Sequence, residues 1–510
     1  MRHLLNFGLL ASTLATSVPA QGSFELDKVT NGEIGRTLNL DFHGAPVGAS
    51  LLFMFSVGSG PIPLAAIDPA DPRSLALDLE FAGTWRVAHT GTGAGSLALP
   101  IPNAMELAGG LLHMQALTFP GTSLVVGALS NPVTQQLGIV GTPVALPRNL
   151  LQARAQPHSF RAGRDIVIAG GGRGTMFALN GLSSTERYDA RTMQVTAGPP
   201  MHTAHSAAFS TVLLDGSVLI AGGVDSTGAV LSSAEIYDPQ TDQFTPAGSL
   251  IQPLAVFDGT LLNDGRVLIA GGTTSLVDAP TAYHNARWNA AIYDYETDRW
   301  LPVASMPDRL LGHDLTTLAD GRVLVSGGFL LDYVPGAFIP MGSTRNCHIY
   351  DPTTDTWTRA ASMNYYRGGH SSNTVRLQDG RVLVTGGAQC LADLSQAYSF
   401  AGAEYYDPST DTWTRLPPLP RPTAFHAVSL LADGRVVITG GAGGTLANPV
   451  EHAGVLLFDP QSNSFTSLPD LPSARAWHTS MTTDDGVVVL FGGQDGGGTN
   501  LLATTVTIRL

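Results

Sequence analysis

From residue 154 onward, arginine followed closely by histidine recurs: Arg154 and His158, Arg309 and His313, Arg367 and His370, Arg421 and His426, Arg475 and His478, with His205 alone in a similar stretch. A guanidinium presents a rigid fork of N–H donors suited to carboxylates and sugars, and an imidazole adds a donor, an acceptor or a metal ligand. Gathered at one place, these side chains would hold a carboxylate or a polyanionic glycan. Turned inward, they would tie loops to backbone carbonyls, and this structural use is the weightier of the two. Compact metal-ligand spacing occurs only at His202 and His205, so no metal and no cofactor is expected. Gly-x-Ser-x-Gly and His-Glu-x-x-His motifs are absent, and clusters such as GGGRG lack the lysine of a phosphate loop.

A second group lies in three long Gly-containing stretches, Thr273 to Trp288, Phe329 to Asn346 and Ala388 to Gly402. They carry Tyr283, His284, Arg287, Trp288, Asp332, Tyr333, Phe338, Arg345, Asp393 and Tyr398. Aromatic, arginine and aspartate side chains on long loops suit recognition of a peptide or sugar. The two cysteines, Cys347 and Cys390, are 43 residues apart and are expected to form a disulfide between neighbouring units in an oxidising compartment.

The elements that position these residues follow from a repeat. DIVIAGG, SVLIAGG, RVLIAGG, RVLVSGG, RVLVTGG, RVVITGG and VVVLFGG end at Gly171, Gly223, Gly272, Gly328, Gly387, Gly441 and Gly493. Six copies carry an Asp-Gly pair before this strand, and six lead to a block such as EIYDPQTDQF or HIYDPTTDTW. Asp-Gly supplies the positive φ that a hairpin turn needs, and Gly-Gly allows close backbone approach where units crowd. The Tyr-Asp-Pro block reads as a third strand, a turn and a fourth strand whose aromatic packs between sheets. Seven four-stranded units can bury a core only by stacking radially.

These motifs resemble the kelch repeat. The forms LLxDGRVLxxGG and YDPxTDxW are similar to bacterial secreted kelch proteins and to the galactose-oxidase-like propeller superfamily, over residues 143 to 510. The resemblance implies an all-β, seven-bladed propeller spanning 142 to 510. The last unit, ending ATTVTIRL, lacks a fourth strand, and Pro143 to Pro147 (PVALP) is expected to supply it. Loops after second strands and between units then share one face. On it the expected binding residues are Tyr283, Arg287, Arg309, His313, Tyr333, Arg367, His370, Arg421, His426, Arg475 and His478. Copper radical oxidases of the superfamily need a Tyr-His pair before a DGRV strand. Here that position reads Phe425-His426, so the phenolate ligand is missing. Oxidase activity is not expected.

Charged residues make up 13% of the chain, about half the ~25% usual in soluble domains, and the net charge is −14. No basic run exists, which argues against a nucleic-acid partner. Arg2 and His3 before an apolar run, and Val18-Pro19-Ala20 after it, read as an export signal over residues 1 to 20. No membrane span is expected in the mature chain. Residues 21 to 141 show alternating or apolar runs at Thr37–Phe42, Leu51–Val57, Leu111–Leu117 and Leu124–Leu129, consistent with a small antiparallel β-sandwich. The functional expectation is an exported, monomeric binding module that engages a protein or cell-surface glycan. A propeller enzyme acting on an acidic sugar, as epimerase or hydrolase, is the alternative.

Overall fold

The computed structural model describes residues 24–510 apart from 31, 47–48, 61, 65–72, 78–80, 89–92, 120–125, 175–178, 335–336, 371–373, 391–396 and 447. The expected export signal lies outside the described residues. The repeat region folds into seven four-stranded antiparallel sheets. Numbered in chain order, their first strands are His158–Ala162, Phe209–Val212, Asp258–Leu261, Asp314–Thr317, Thr374–Arg376, Ala427–Leu430 and Thr479–Thr482. In sheet four, Asp314–Thr317 pairs with Val323–Ser326, which pairs with Cys347–Asp351, which pairs with Thr356–Arg359. Every second strand is buried, which explains its unbroken run of Val, Ile and Leu.

The first strands connect in a closed circuit. Ser159 bonds Thr479, His158 bonds Ser210, Phe209 packs on Phe257, and the Leu315 amide donates to Asp258. Arg376 then reaches the Thr317 carbonyl, Gln378 the Ala432 carbonyl, and Ser429 bonds Ser480. The seventh sheet takes its outer strand from Val144–Ala145, which pairs with Thr505–Arg509 in the register Val144↔Thr507. This is the part expected of PVALP.

The repeat motifs serve the joints between sheets. In sheet four the Asp355 carboxylate accepts from the Tyr350 hydroxyl at 2.9 Å and from the Ala304 amide of sheet three at 2.8 Å. Trp357 Nε1 donates to the Ala304 carbonyl at 2.7 Å. The same clamp joins Asp298 and Trp300 to Gly248, and Asp411 and Trp413 to Ala361. At the Asp-Gly turns the glycine alone takes positive φ, as at Gly265 (φ +89°), while the Asp264 carboxylate accepts the Arg266 amide. The turn is therefore an Asp-capped one with a left-handed glycine, not a two-residue hairpin.

Ahead of this region, Glu25–Lys28, Thr37–His43 and Gly95–Pro100 form one sheet, and Phe81–Ala88, Ser50–Ser56, Leu111–Phe119 and Val133–Gln136 form another. Leu38, Leu40 and Phe42 pack against Phe53, Phe55 and Met114 between them. Residues 124–125 lie outside the described residues, and 126–129 meet Leu117–Thr118 through irregular bonding; Val133–Gln136 is the regular strand there. This unit sits on the turn side of sheets one and seven. Lys28 donates to the Thr134 and Ala190 carbonyls, Arg191 pairs with Glu25 and Asp27, and Arg164 with Asp27. Arg509 donates to the Gln136 carbonyl.

Candidate functional site

Backbone bonds fix equivalent positions between sheets. The second glycine of each doublet donates to one carbonyl of the next connection: Gly171 to His205, Gly223 to Leu254, Gly272 to Leu310, Gly328 to Arg367, Gly387 to Thr423, Gly441 to Arg475 and Gly493 to Arg154. Arg154, Arg367 and Arg475 at this position are fully buried. Arg367 donates to the Gly386 carbonyl and, at 2.9 Å, to Glu404; Arg154 donates to the Gly170 carbonyl and Glu186. Arg475 donates to the Gly492 carbonyl and to Thr504. Burial lowers the pKa of all three guanidinium groups, that of Arg475 to about 10. His205 fills the position in sheet two, with Nδ1 on the Gly222 carbonyl and Glu235 beside it.

Three residues on, His313, His370, His426 and His478 are buried joints between sheets. Nε2 of His370, His426 and His478 meets Ser326, Thr385 and Thr439, each the last residue of the preceding sheet's second strand. Burial is the largest cause holding these imidazoles neutral: His313 is pushed down to about 4, His426 to about 3, and His370 and His478 well below the usual value. The expectation of Arg367, Arg475 and the four histidines as an exposed ring is therefore corrected: all six are buried, the two guanidinium groups and Nε2 of His370, His426 and His478 bond within or between the sheets, and His426 and His478 also line the cavity described below. Arg421 differs, because Thr423 holds the buried position and Arg421 is exposed. For copper the set is unsuited, since Phe425 lacks a phenolate and lies stacked on Trp477 at 4.1 Å while His426 Nε2 is engaged by Thr385.

The long loops on this face fold into small hairpins, among them Phe329–Val334 with Ala337–Ser343, Ala388–Gln389 with Tyr398–Ser399, and Ala442–Gly444 with Pro449–Glu451. They are knitted together: Ser343 donates its amide to the Cys390 carbonyl, and Leu446 to that of Ala397. Residues Ala279–His284 form a short helix. Tyr283 lies on that helix and Tyr333 on the first hairpin; their side chains, with those of Asp332 and Phe338, fall outside the described residues, as does Asp393. Arg287 is half-buried and donates to Thr274 Oγ1. Arg309 lies over the exposed Trp288 ring at 4.5 Å, and Arg345 over the exposed Tyr366 ring at 5.5 Å. The Tyr398 hydroxyl donates to Gln389.

No disulfide joins Cys347 and Cys390, which are buried thiols. Cys347 packs with Leu318, Val382 and Tyr406 between sheets four and five, and Cys390 with Phe329 and Ala397 under the hairpins. The thiols thus belong to separate clusters, and burial raises Cys347 to about 12.

Within the circuit runs a cavity of about 970 Å³, lined by residues of the first strands and the turns before them. Its mouth is ringed by seven residues in left-handed conformation, Gln156, Ala207, Val256, Gly312, Gly369, Phe425 and Trp477, with φ between 50° and 62°. Several bond directly across the joints, as Gly369 N to the Gly312 carbonyl and Trp477 N to the Phe425 carbonyl. Asp258 and Asp314, neither singled out from sequence, begin adjacent first strands on its wall. Burial raises both carboxyls, Asp314 to about 7, and Asp314's charge adds to the rise at Asp258. Elsewhere, Glu25, Asp27 and His43 could jointly reach an ion, but Arg191 and Arg164 already neutralise the two carboxylates.

Comparison with known proteins agrees with this geometry. The Kelch motif model matches residues 205–251. Kelch-like protein 36 of Mus musculus is 29% identical over 184 residues, covering 36% of this chain and 28% of that protein. Beta-scruin of Limulus polyphemus is 29% identical over 241 residues, covering 45% and 24%. The chain thus spans about a quarter of the length of the curated relatives it matches. A fungal alcohol oxidase of the AA5 family, solved with copper, superposes with a TM-score of 0.53 at 16% identity, over 72% of this chain and 76% of that one. That likeness shows the fold alone. Repeat, sheet order and comparisons together support a kelch propeller.

Proposed function

We propose that this chain is an exported, seven-bladed kelch propeller that binds a partner protein through its loop face. The observation that carries the reading is the knitted hairpin layer over sheets four to six, beside which Trp288, Tyr366 and Tyr398 are 44%, 48% and 42% exposed. Exposed aromatics on a rigid layer supply contact area at small entropic cost. The turn face is partly taken by the N-terminal unit at sheets one and seven. Kelch motifs and kelch-like relatives support protein interaction as the use of this fold. The export signal read from residues 1 to 20 supports an oxidising destination, and a monomer is the expected free state.

The test is site-specific photocrosslinking in the producing organism, with the probe at Trp288 or Tyr398, or at Asp264 on the turn face. A discrete crosslinked protein from the loop-face positions alone is the expected result. Crosslinks only from Asp264, or only to glycans, would refute it.

A second reading, an enzyme on a carbohydrate, is favoured by the cavity. A carboxyl pushed to about 7 at Asp314 beside a second carboxyl at Asp258 is a pairing suited to acid–base chemistry. Turnover of an acidic oligosaccharide that is lost in Asp258→Asn would move the assignment there.

A further inference from the structure

This inference rests on the protein-binding reading and assigns the partner's chemistry. The same backbone bond occurs at each joint between consecutive sheets, as Leu310 N to the Arg287 carbonyl and Arg367 N to the Thr344 carbonyl. Two side chains flank it, one just before the donor and one just after the acceptor. At five joints both are small: Ala204 with Ser183, Pro253 with Ser232, and alanine or proline with alanine at the other three. At two neighbouring joints both are large: Arg309 with Trp288, and Tyr366 with Arg345. The identities are exchanged between the two, yet each places a guanidinium over a ring, at 4.5 and 5.5 Å.

The ring closes at five joints without such residues, so the fold does not require them. Trp288, Tyr366 and Arg345 are exposed, and Arg309 is half-buried. A guanidinium stacked by its face retains N–H edges for bidentate contact with a carboxylate, and the ring limits the entropy lost on binding. Two further arginines and one carboxylate lie near the pairs. Arg415 lies over Tyr365 at 5.1 Å and Arg359 donates to Asn346, while the nearby Asp308 is engaged by Asn346 and His348. On a chain of net charge −14, this is a local cationic edge.

We propose that Arg309–Trp288 and Arg345–Tyr366 form a two-point carboxylate clamp that grips an acidic segment of the partner protein, one Asp or Glu side chain to each guanidinium. The test is selection of peptides from a random phage-displayed library on the full chain, followed by fluorescence anisotropy with the labelled synthetic peptides. Selected peptides should be rich in Asp and Glu. Arg309→Gln and Arg345→Gln should each weaken binding roughly 10-fold, and the affinity should fall as salt rises. Arg266→Gln, on the turn face, should bind as the parent does. Peptides without acidic enrichment, or acidic peptides that bind the Arg309→Gln/Arg345→Gln chain equally well, would overturn the clamp. If such peptides still crosslink at Tyr398, the protein-binding reading survives its loss. Failure to select any peptide, with arginine-dependent binding of alginate oligomers instead, would overturn both.

Discussion

Lys28, the only lysine of the chain, lies 3.7 Å from Asp485, with both side chains less than a tenth exposed. Asp485 belongs to the Asp-Gly turn of sheet seven, and the same ammonium donates to Thr134 in the N-terminal unit and to Ala190 in sheet one. One side chain therefore bridges three parts of the molecule at the seam where the circuit begins and ends. Lys28→Ala leaves two carbonyls and a carboxylate short of a donor, at a cost of about 3 kcal/mol. Thermal unfolding should show the loss, and hydrogen exchange should rise first at Val133–Gln136 and around Ala190.

The Asp355 and Trp357 clamp on Ala304 predicts a graded loss. Trp357→Phe keeps the ring contact with Tyr350 but removes one donor, costing about 1 kcal/mol. Asp355→Ala removes the acceptor of both the Tyr350 hydroxyl and the Ala304 amide, and should cost about 2 kcal/mol. Urea denaturation of both variants checks the order; equal stability would mean that the sheets hold without the clamp.

Backbone strain at the cavity mouth is separable from packing. A Cβ on Gly369 would find its nearest neighbour 3.5 Å away, so Gly369→Ala tests the left-handed conformation alone and should destabilise by about 1 kcal/mol. Ala207 holds the same conformation at φ 50°, and Ala207→Gly should gain roughly 0.5–1 kcal/mol. Opposite shifts in unfolding midpoint are expected, and shifts of the same sign would contradict the account.

The cavity carboxyls set a pH dependence. Burial raises Asp314 to about 7 in the folded chain, so folding favours its protonated form. Its contribution is fully favourable below the ordinary carboxylate value, near 4, and is lost as pH rises through about 7. Asp314→Asn stays uncharged, so its melting temperature should fall less than the parent's between pH 5 and 8. Parallel profiles would show that Asp314 titrates normally.

The sheets were readable because their signals are local and repeated: the apolar second strand, the glycine doublet and the Tyr-Asp-Pro turn recur in register. The outer strand Val144–Ala145 was also readable, because the last unit is one strand short. The roles of the arginines were not. Arg367 and Arg475, three residues before their histidines, are buried, and so is Arg154, four before His158, whereas Arg309, also four before, and Arg421, five before, reach solvent. Only the backbone register, which puts Leu310 and Thr423 in the buried position, makes that difference meaningful. Cys347 and Cys390 fall on adjacent units in sequence but into separate packed clusters, a distinction that spacing does not carry. Tyr366 carries no local signal, because its importance lies in contrast with small residues at the equivalent joints.

That register makes Arg367 and Arg421 a decisive pair. Arg367 is enclosed, and its loss leaves the Glu404 carboxylate buried without its cation, although the amide of Asn364 still donates to it. Breaking such a pair costs about 3–5 kcal/mol, so Arg367→Leu should unfold at markedly lower denaturant or fail to accumulate. Arg367→Leu combined with Glu404→Leu should recover part of the loss, because the orphaned charge is gone. Arg421→Ala, at an exposed connection, should lie within about 0.5 kcal/mol of the parent. Equal tolerance at both positions would mean that the buried arginine is dispensable to its sheet, and would return it to consideration as a binding residue.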